Sequence, residues 1–265
     1  MQMEPVLTTL DARGVAVVTF NRPDVNNAYN GDLIQSVLRA MDDLSGRSGL
    51  RVVVLKGNGR HFQAGADLAW INAVRVASPA ENEAVSRATA QVVDRLNRLP
   101  VPVVALVQGA CFGGGTGIIA ACDLVVAADN AFFSITEVRW GLTAAIIIPQ
   151  LNDAIPVRQV RRYALTGERF SARDALRIGL VHEVVPVSEL EAAGDKFVDQ
   201  LLDNDPVAIA ETKATILESS WGGFDPATFD RLVTSHAAKR QTPEAAEGLA
   251  SFAEKRKASW SPAKR

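Results

Sequence analysis

The 265-residue sequence predicts an α/β fold whose sheet is covered on both faces. Short runs of β-branched and apolar residues recur along the first half of the chain, and segments of helical period separate them. Hydrophobic residues make up 48% of the chain and charged residues 22%, enough for a large core without disulfides or metal.

The elements follow in chain order. Val15–Phe20 is rich in β-branched residues and closes on Asn21-Arg-Pro-Asp24, so it predicts a strand and a turn. Leu33, Ile34, Val37, Leu38, Met41 and Leu44 recur at helical spacing. Arg51–Leu55 predicts a buried strand ended by Lys56-Gly-Asn-Gly-Arg60. Pro79 opens a helix that runs through Glu81–Leu99 and stops at Pro100 and Pro102. Val103–Val107 and Leu124–Ala128 are further strands, with a small-residue helix, Ile118–Cys122, between them. After about residue 190 the pattern turns helical, over Val187–Leu202, Pro206–Ser219, Pro226–Lys239 and Pro243–Lys257, with a break at Trp221-Gly-Gly-Phe224. Phe229, Leu232 and Val233, and later Ala245, Leu249 and Phe252, form stripes that predict packing onto the body or a neighbouring subunit. The division expected is therefore a core over 1–190 and a helical region over 191–265.

Composition narrows the function classes. Lys+Arg 28 against Asp+Glu 30 leaves a net charge of −2, without the cationic excess a general nucleic-acid binder needs. Cys111 and Cys122 cannot staple a chain of this size, which fits a reducing compartment. His61, His182 and His236 lie far apart, and no Cys/His cluster has metal-ligand spacing. The first residues show no basic region followed by an apolar one, and no apolar run approaches the roughly 18 residues that span a bilayer. The expectation is a soluble cytoplasmic protein with no membrane or nucleic-acid partner.

The stretch Gly109–Gly117 holds five glycines in nine residues. Such density costs backbone entropy, so the local chain needs it. Close helix–strand packing is one reason. Gly115-Thr-Gly117-Ile-Ile-Ala120 formally fits a dinucleotide fingerprint, but seven residues separate Val107 from Gly115, where a Rossmann turn follows its strand directly. No Gly-Lys-Ser/Thr follows, which excludes a Walker A loop. A third reading is an oxyanion hole, in which bare backbone N–H groups at a helix start meet developing negative charge. His61-Phe-Gln-Ala-Gly-Ala-Asp-Leu68 follows a strand in the same way and would supply the second donor.

Taken together these stretches resemble the crotonase (enoyl-CoA hydratase/isomerase) superfamily over essentially the whole chain. The resemblance rests on Asn21-Arg-Pro with Asn27-Ala28, Val53–Gly57 with Phe62–Leu68, and Pro100–Gly109 with Gly113-Gly-Gly115 and Cys122–Leu124. It continues through Phe132–Glu137 with Gly141-Leu142, Leu165–Ala172, Ala175 with Gly179–Val181, and Glu247–Arg256. It implies a spiral of ββα units with a C-terminal helical region, assembled as trimers or pairs of trimers. It implies that the backbone N–H groups of Ala66 and Gly114 hold the oxygen of an acyl-CoA thioester. It places Ala64, Ala66, Asp67, Leu68 and Ala69 along the bound thioester, and Ala28 and Lys56 near the nucleotide end of coenzyme A. The tail, with Phe252, Lys255 and Arg256, would pack at the active-site mouth or across a subunit boundary. No permanently bound cofactor and no metal is implied, since the substrate itself carries coenzyme A.

One departure matters. Hydratases of this superfamily usually carry two catalytic glutamates; here the first position is Gly117 and only the second, Glu137, remains. A lone carboxylate does general acid–base work if a dry pocket raises its pKa. His61-Phe with Gly65–Trp70, the glycine at 117 and Glu137-Val-Arg139 with Gly141-Leu142 resemble bacterial hydratases of branched glutaconyl thioesters, 3-methylglutaconyl-CoA or 3-isohexenylglutaconyl-CoA, which serve leucine or acyclic terpene breakdown. Thr143–Ile148 replaces a glycine-rich run of plain enoyl-CoA hydratases and should reshape the acyl pocket. Arg139, two residues after Glu137, would share its face in an extended segment and clamp the distal carboxylate. A Δ3,Δ2-enoyl-CoA isomerase and a non-catalytic acyl-CoA-binding subunit are the alternatives. Simpler roles suit the rest: Asp67 as a helix cap, Asp123 as a turn anchor, Trp70 and Trp140 as pocket wall or core, Cys111 and Cys122 as small buried residues, and His61 as structural or near phosphates.

Overall fold

The computed structural model describes residues 4–222 and 243–261. It divides into two compact units, Met1–Phe197 and Val198–Arg265. The first unit carries a six-stranded sheet in the order β1-β2-β3-β4-β6-β9. These are β1 (Val6–Leu10), β2 (Val15–Phe20), β3 (Val52–Gly57), β4 (Val103–Val107), β6 (Leu124–Ala128) and β9 (Glu183–Val185). A second sheet joins β5 (Ala110–Phe112), β7 (Phe132–Ser134) and β8 (Phe170–Ser171). Only β1–β2 and β7–β8 are antiparallel.

The spiral arises because β2, β3, β4 and β6 are each followed by a short stretch of the second layer and then by a helix. After β2 the chain pairs at Tyr29 with Ala66 and enters α1 (Gly31–Ser45). After β3 it pairs at Gln63 with Cys111 and enters α2 (Leu68–Arg75) and α3 (Pro79–Arg98). After β4 it forms β5 and then α4 (Gly114–Ala120). After β6 it forms β7, followed by α5 (Ile148–Ala154), α6 (Val157–Thr166) and α7 (Ala172–Ile178). This is the α/β crotonase fold.

The core lies between the large sheet and its helices. Leu33, Val37, Met41 and Leu44 of α1 and Val92, Val93 and Leu96 of α3 pack with Val53, Leu55, Val103, Ala105 and Val107. Each large side chain so buried contributes about 1.5–3 kcal/mol relative to exposure. Asn30 caps α1 through the Leu33 N–H, and Ser78 with Glu81 forms a capping box on α3. On the other face, Leu106 lies against Gly194 of α8 (Leu190–Leu202), where a Cβ would come within 2.6 Å. The second unit contains α9 (Pro206–Gly222) and α10 (Pro243–Ala253).

The structure departs from the expected elements at several points. The helix expected over Ile118–Cys122 is α4 and starts at Gly114, so the second half of the glycine stretch is helical and the first half forms β5. β1 was not anticipated, because its burial falls almost wholly on Val6 and leaves no apolar alternation. Segment 137–140 is a 3-10 helix rather than extended, since Glu137–Trp140 turns back through the left-handed Gly141. In the tail, α9 continues through Gly222, into the expected break, and α10 stops four residues before Lys257. The helix expected over Pro226–Lys239, with Phe229, Leu232 and Val233, lies outside the described residues. So do the side chains of Leu249 and Phe252.

Candidate active site

Two turns meet where the second layer begins. In the first, Tyr29 N–H donates to the Gly65 carbonyl and Asp67 N–H donates to the Tyr29 carbonyl, both at 2.9 Å. A parallel bridge of this form turns the N–H of the intervening Ala66 away from Tyr29, and it finds no acceptor among the described residues. In the second turn, Gly113 adopts φ 52° as it enters α4. Its successor Gly114 is the first residue of that helix, so its N–H has no partner within the helix. The Tyr29 ring joins the two turns: a Cβ on Gly114 would lie 2.9 Å from the ring.

Glu137 stands over the second turn. Its Oε1 lies 3.0 Å from the place a Cβ on Gly113 would occupy, and the positive φ of Gly113 already disfavours a side chain there. Its Oε2 is buried with no hydrogen-bond partner. Burial pushes the carboxyl above the ordinary glutamate range, and its own and the Thr136 backbone N–H groups pull it only part of the way back. Tyr29 is pushed up to about 12, by burial first and then by the Glu137 charge, so its phenol is a neutral donor at physiological pH.

These groups line a cleft of about 330 Å³ with Trp70, Ile118, Leu142 and Ile147. Trp70 packs edge-on against Tyr29, with ring centroids 5.7 Å apart. Position 117 is closed: a Cβ there would fall 2.2 Å from the Cγ2 of Ile147, which is itself buried. The apolar run Thr143–Ile148 therefore fills the space that the missing glutamate would need.

The structure sorts the residues expected from sequence. Glu137 and Gly114 line the cleft, and Ala66 is hydrogen-bond-neighbour to Tyr29 beside it. Asp67 caps α2, accepting from the Ala69 and Trp70 N–H groups, and lies 3.5 Å from the Arg22 guanidinium. Leu68 and Ala69 are exposed on the first turn of α2, and Ala64 is held by its N–H to the Asn26 carbonyl. Ala28 accepts from Arg22, while the Asn27 side chain is consumed in bonds to Arg22, Asn58 and His61. Two residues are not brought in. Lys56 pairs with Glu191 at 3.0 Å in a separate groove with Arg13 and Asp195. Arg139 lies against Gly167, outside the cleft, because a 3-10 turn does not repeat its face every second residue. Trp140 is 64% exposed rather than a pocket wall. His61 is structural: its Nδ1 accepts from the Ala110 N–H, and burial lowers its pKa.

Tyr29 and Gln63 are site residues that the sequence did not single out. The fully buried Gln63 accepts from the Gly65 N–H and fits only because Gly115 has no Cβ, which would lie 2.7 Å from its Oε1. It thus braces the turn at Gly65 against the glycine stretch at Gly115. A large polar residue directly after Phe62 in a buried turn was the available signal.

The comparisons with known proteins agree with this geometry. Residues 11–263 match the family model "Enoyl-CoA hydratase/isomerase". The chain belongs to that family. It is 31% identical over 260 residues, 97% of each chain, to the short-chain-enoyl-CoA hydratase of Clostridium acetobutylicum. It is 28% identical over 262 residues, 97% of this chain and 98% of the other, to the trans-2-decenoyl-[acyl-carrier-protein] isomerase of Streptococcus mutans. The crystal structure of an enoyl-CoA hydratase from Shewanella pealeana superposes with TM-score 0.92 at 34% identity, covering 98% of this chain and 97% of that one. As a member of the enoyl-CoA hydratase/isomerase family the chain is an enzyme of the crotonase type, and its cleft suits an acyl-CoA. Among the described residues no group of three potential ligands could hold a metal, and no helix is long and apolar enough to cross a membrane.

Proposed function

We propose that the protein adds water across the α,β double bond of an enoyl-CoA thioester whose acyl group is of the branched 3-alkylglutaconyl type. The Glu137 carboxyl carries this reading: it is raised by burial, its Oε2 is unpartnered, and it shares the cleft with the Gly114 N–H. The Ala66 and Gly114 N–H groups hold the thioester oxygen. Glu137 takes a proton from water as the water oxygen bonds to the β-carbon. The double-bond electrons move onto the thioester as an enolate, whose oxygen the two amides stabilise. Glu137 then returns the proton to the α-carbon, so one water is added and the carboxylate is regenerated. A carboxyl with a raised pKa serves as both base and acid in this cycle. The neutral Tyr29 hydroxyl, beside Glu137, donates to the attacking water.

The aliphatic walls of Leu142, Ile146 and Ile147 suit a branched chain, as in leucine or acyclic terpene breakdown. Coenzyme A arrives with the substrate, no cofactor is resident, and the working form is a cytoplasmic trimer or pair of trimers. A second reading is Δ3,Δ2-enoyl-CoA isomerisation. The seal of Ile147 over Gly117 favours it, because moving a proton between carbons needs only one carboxylate. A panel of 2-enoyl-, 3-enoyl- and 3-alkylglutaconyl-CoA thioesters, followed by ultraviolet absorbance and product mass, decides between them. Gain of one water supports hydration, migration of the double bond without mass change supports isomerisation, and binding without turnover overturns both.

A further inference from the structure

Within the cleft the polar character is graded along one helix face. Asn82, Ser86, Thr89 and Val93 of α3 line it at spacings of four, three and four residues, polar toward the start and apolar toward the core. Trp70, Ile71 and Val74 of α2 face the same space, and the helix ends in Arg75, one turn after Ile71. Arg75 is the one cation among the cleft-lining residues, as Glu137 is the one carboxylate. No carboxylate lies within ion-pairing distance of Arg75 among the described residues, in contrast to Arg22, Arg162 and Arg177, each of which has its acid. Arg75, Asn82 and Ser86 are all exposed, so the one cation and two hydrogen-bonding side chains lie on the solvent side of a cleft whose deeper lining is mostly apolar.

We infer that Arg75 recognises a carboxylate on the acyl chain, making this a site for acyl-CoA thioesters that carry a second acid group. The inference rests on the acyl-CoA reading above and reassigns carboxylate selection from Arg139, which lies outside the cleft. The planar fork of arginine holds a carboxylate through two parallel hydrogen bonds, which an ammonium cannot reproduce. Asn82 and Ser86 would donate to the same carboxylate from α3.

The test compares wild type, Arg75→Met and Arg75→Lys with glutaconyl-CoA and crotonyl-CoA, which share the coenzyme A handle and differ in the distal carboxylate. Arg75 is exposed, so a charge pair made there corresponds to about 2- to 5-fold. Arg75→Met should raise KM for glutaconyl-CoA by that factor relative to its effect on crotonyl-CoA, with Arg75→Lys falling between. Binding of the saturated pair glutaryl-CoA and butyryl-CoA, measured by calorimetry, reads the same preference without any chemistry. If neither enoyl substrate turns over but wild type still prefers glutaryl-CoA and Arg75→Met does not, the clamp stands and the hydratase reading falls. Equal weakening of both thioesters and of coenzyme A alone assigns Arg75 to the nucleotide phosphates and overturns the proposal. So does equal binding of the two saturated thioesters by wild type.

Discussion

Glu137 lines the cleft and Gly117 is sealed behind the cleft residue Ile147, so the two positions have opposite surroundings. At Glu137 a carboxyl is kept dry, with one oxygen unpartnered and no side chain on its neighbour Gly113. At Gly117 the bare backbone serves the reverse purpose, because Ile147 occupies the space a side chain would take. Glycine in the same nine-residue stretch therefore marks room left for chemistry at one position and room taken by packing at another. Losing the second carboxylate is a repacking of the pocket wall, not a single deletion, and the remaining carboxylate must work alone.

The largest effect should come from the side that works. Glu137→Gln keeps the shape and removes the proton carrier, so turnover should fall by about 10²- to 10⁴-fold while thioester binding persists. The same change tests the burial argument. A carboxyl raised in the folded state binds its proton more tightly there than in the unfolded chain. Its contribution to stability is therefore present at low pH and lost as pH rises from the unfolded value toward the raised folded one. Thermal melts should show Glu137→Gln at least as stable as wild type at neutral pH, with the advantage shrinking in acid. A variant that turns over normally would end the single-carboxylate account. Asp153, exposed on α5 and absent from the cleft, is no substitute.

Next in size is the oxyanion turn. Gly114→Val places a Cβ 2.9 Å from the Tyr29 ring and would spoil the N–H proposed to hold the thioester oxygen. Loss of one such donor typically costs about 10²- to 10³-fold in kcat. Steady-state rates near wild type would remove Gly114 from the site.

The closed side gives a smaller effect, read in stability. Gly117→Glu alone meets Ile147 at 2.2 Å and should cost about 1–3 kcal/mol as overpacking. Combined with Ile147→Ala, the glutamate gains the vacated space, and a double-mutant cycle in denaturant should show the pair less destabilising than the sum. Strict additivity would mean that Ile147 is not what keeps position 117 a glycine.

How much of this was legible in sequence follows from range. β2, β4 and β6 match the expected strands because a buried parallel strand is an uninterrupted run of apolar residues. Asp67 as a cap and Asp123 as a turn anchor, accepting from the Val103 N–H at 2.7 Å, are also local signals. The helix expected over Ile118–Cys122 was started too late because helix propensity argues against glycine, whereas Gly114, Gly115 and Gly117 pack in α4 against Tyr29, Gln63 and Ile147. Tyr29 and Gln63 went unseen because their roles arise only when the turns around residues 29, 65 and 113 are folded together. Arg139 was assigned by an alternation that a 3-10 turn does not have.

The smallest predicted effect concerns Tyr29, which belongs to neither wall and touches both functions. Its ring packs on Gly114 and Trp70, and its hydroxyl sits in the field of Glu137. Tyr29→Phe keeps the ring and removes one neutral donor, so the rate of hydration should fall by only about 2- to 10-fold, the value of one such hydrogen bond. The pH profile is the sharper readout. A hydroxyl that donates toward Glu137, directly or through the attacking water, favours its charged form, so removing it should move the acidic limb of kcat/KM to higher pH. The phenol itself, pushed up to about 12, stays protonated throughout the working range and adds no limb of its own. An unmoved acidic limb with an unchanged rate would confine Tyr29 to packing, and the water in the proposed cycle would then depend on Glu137 alone.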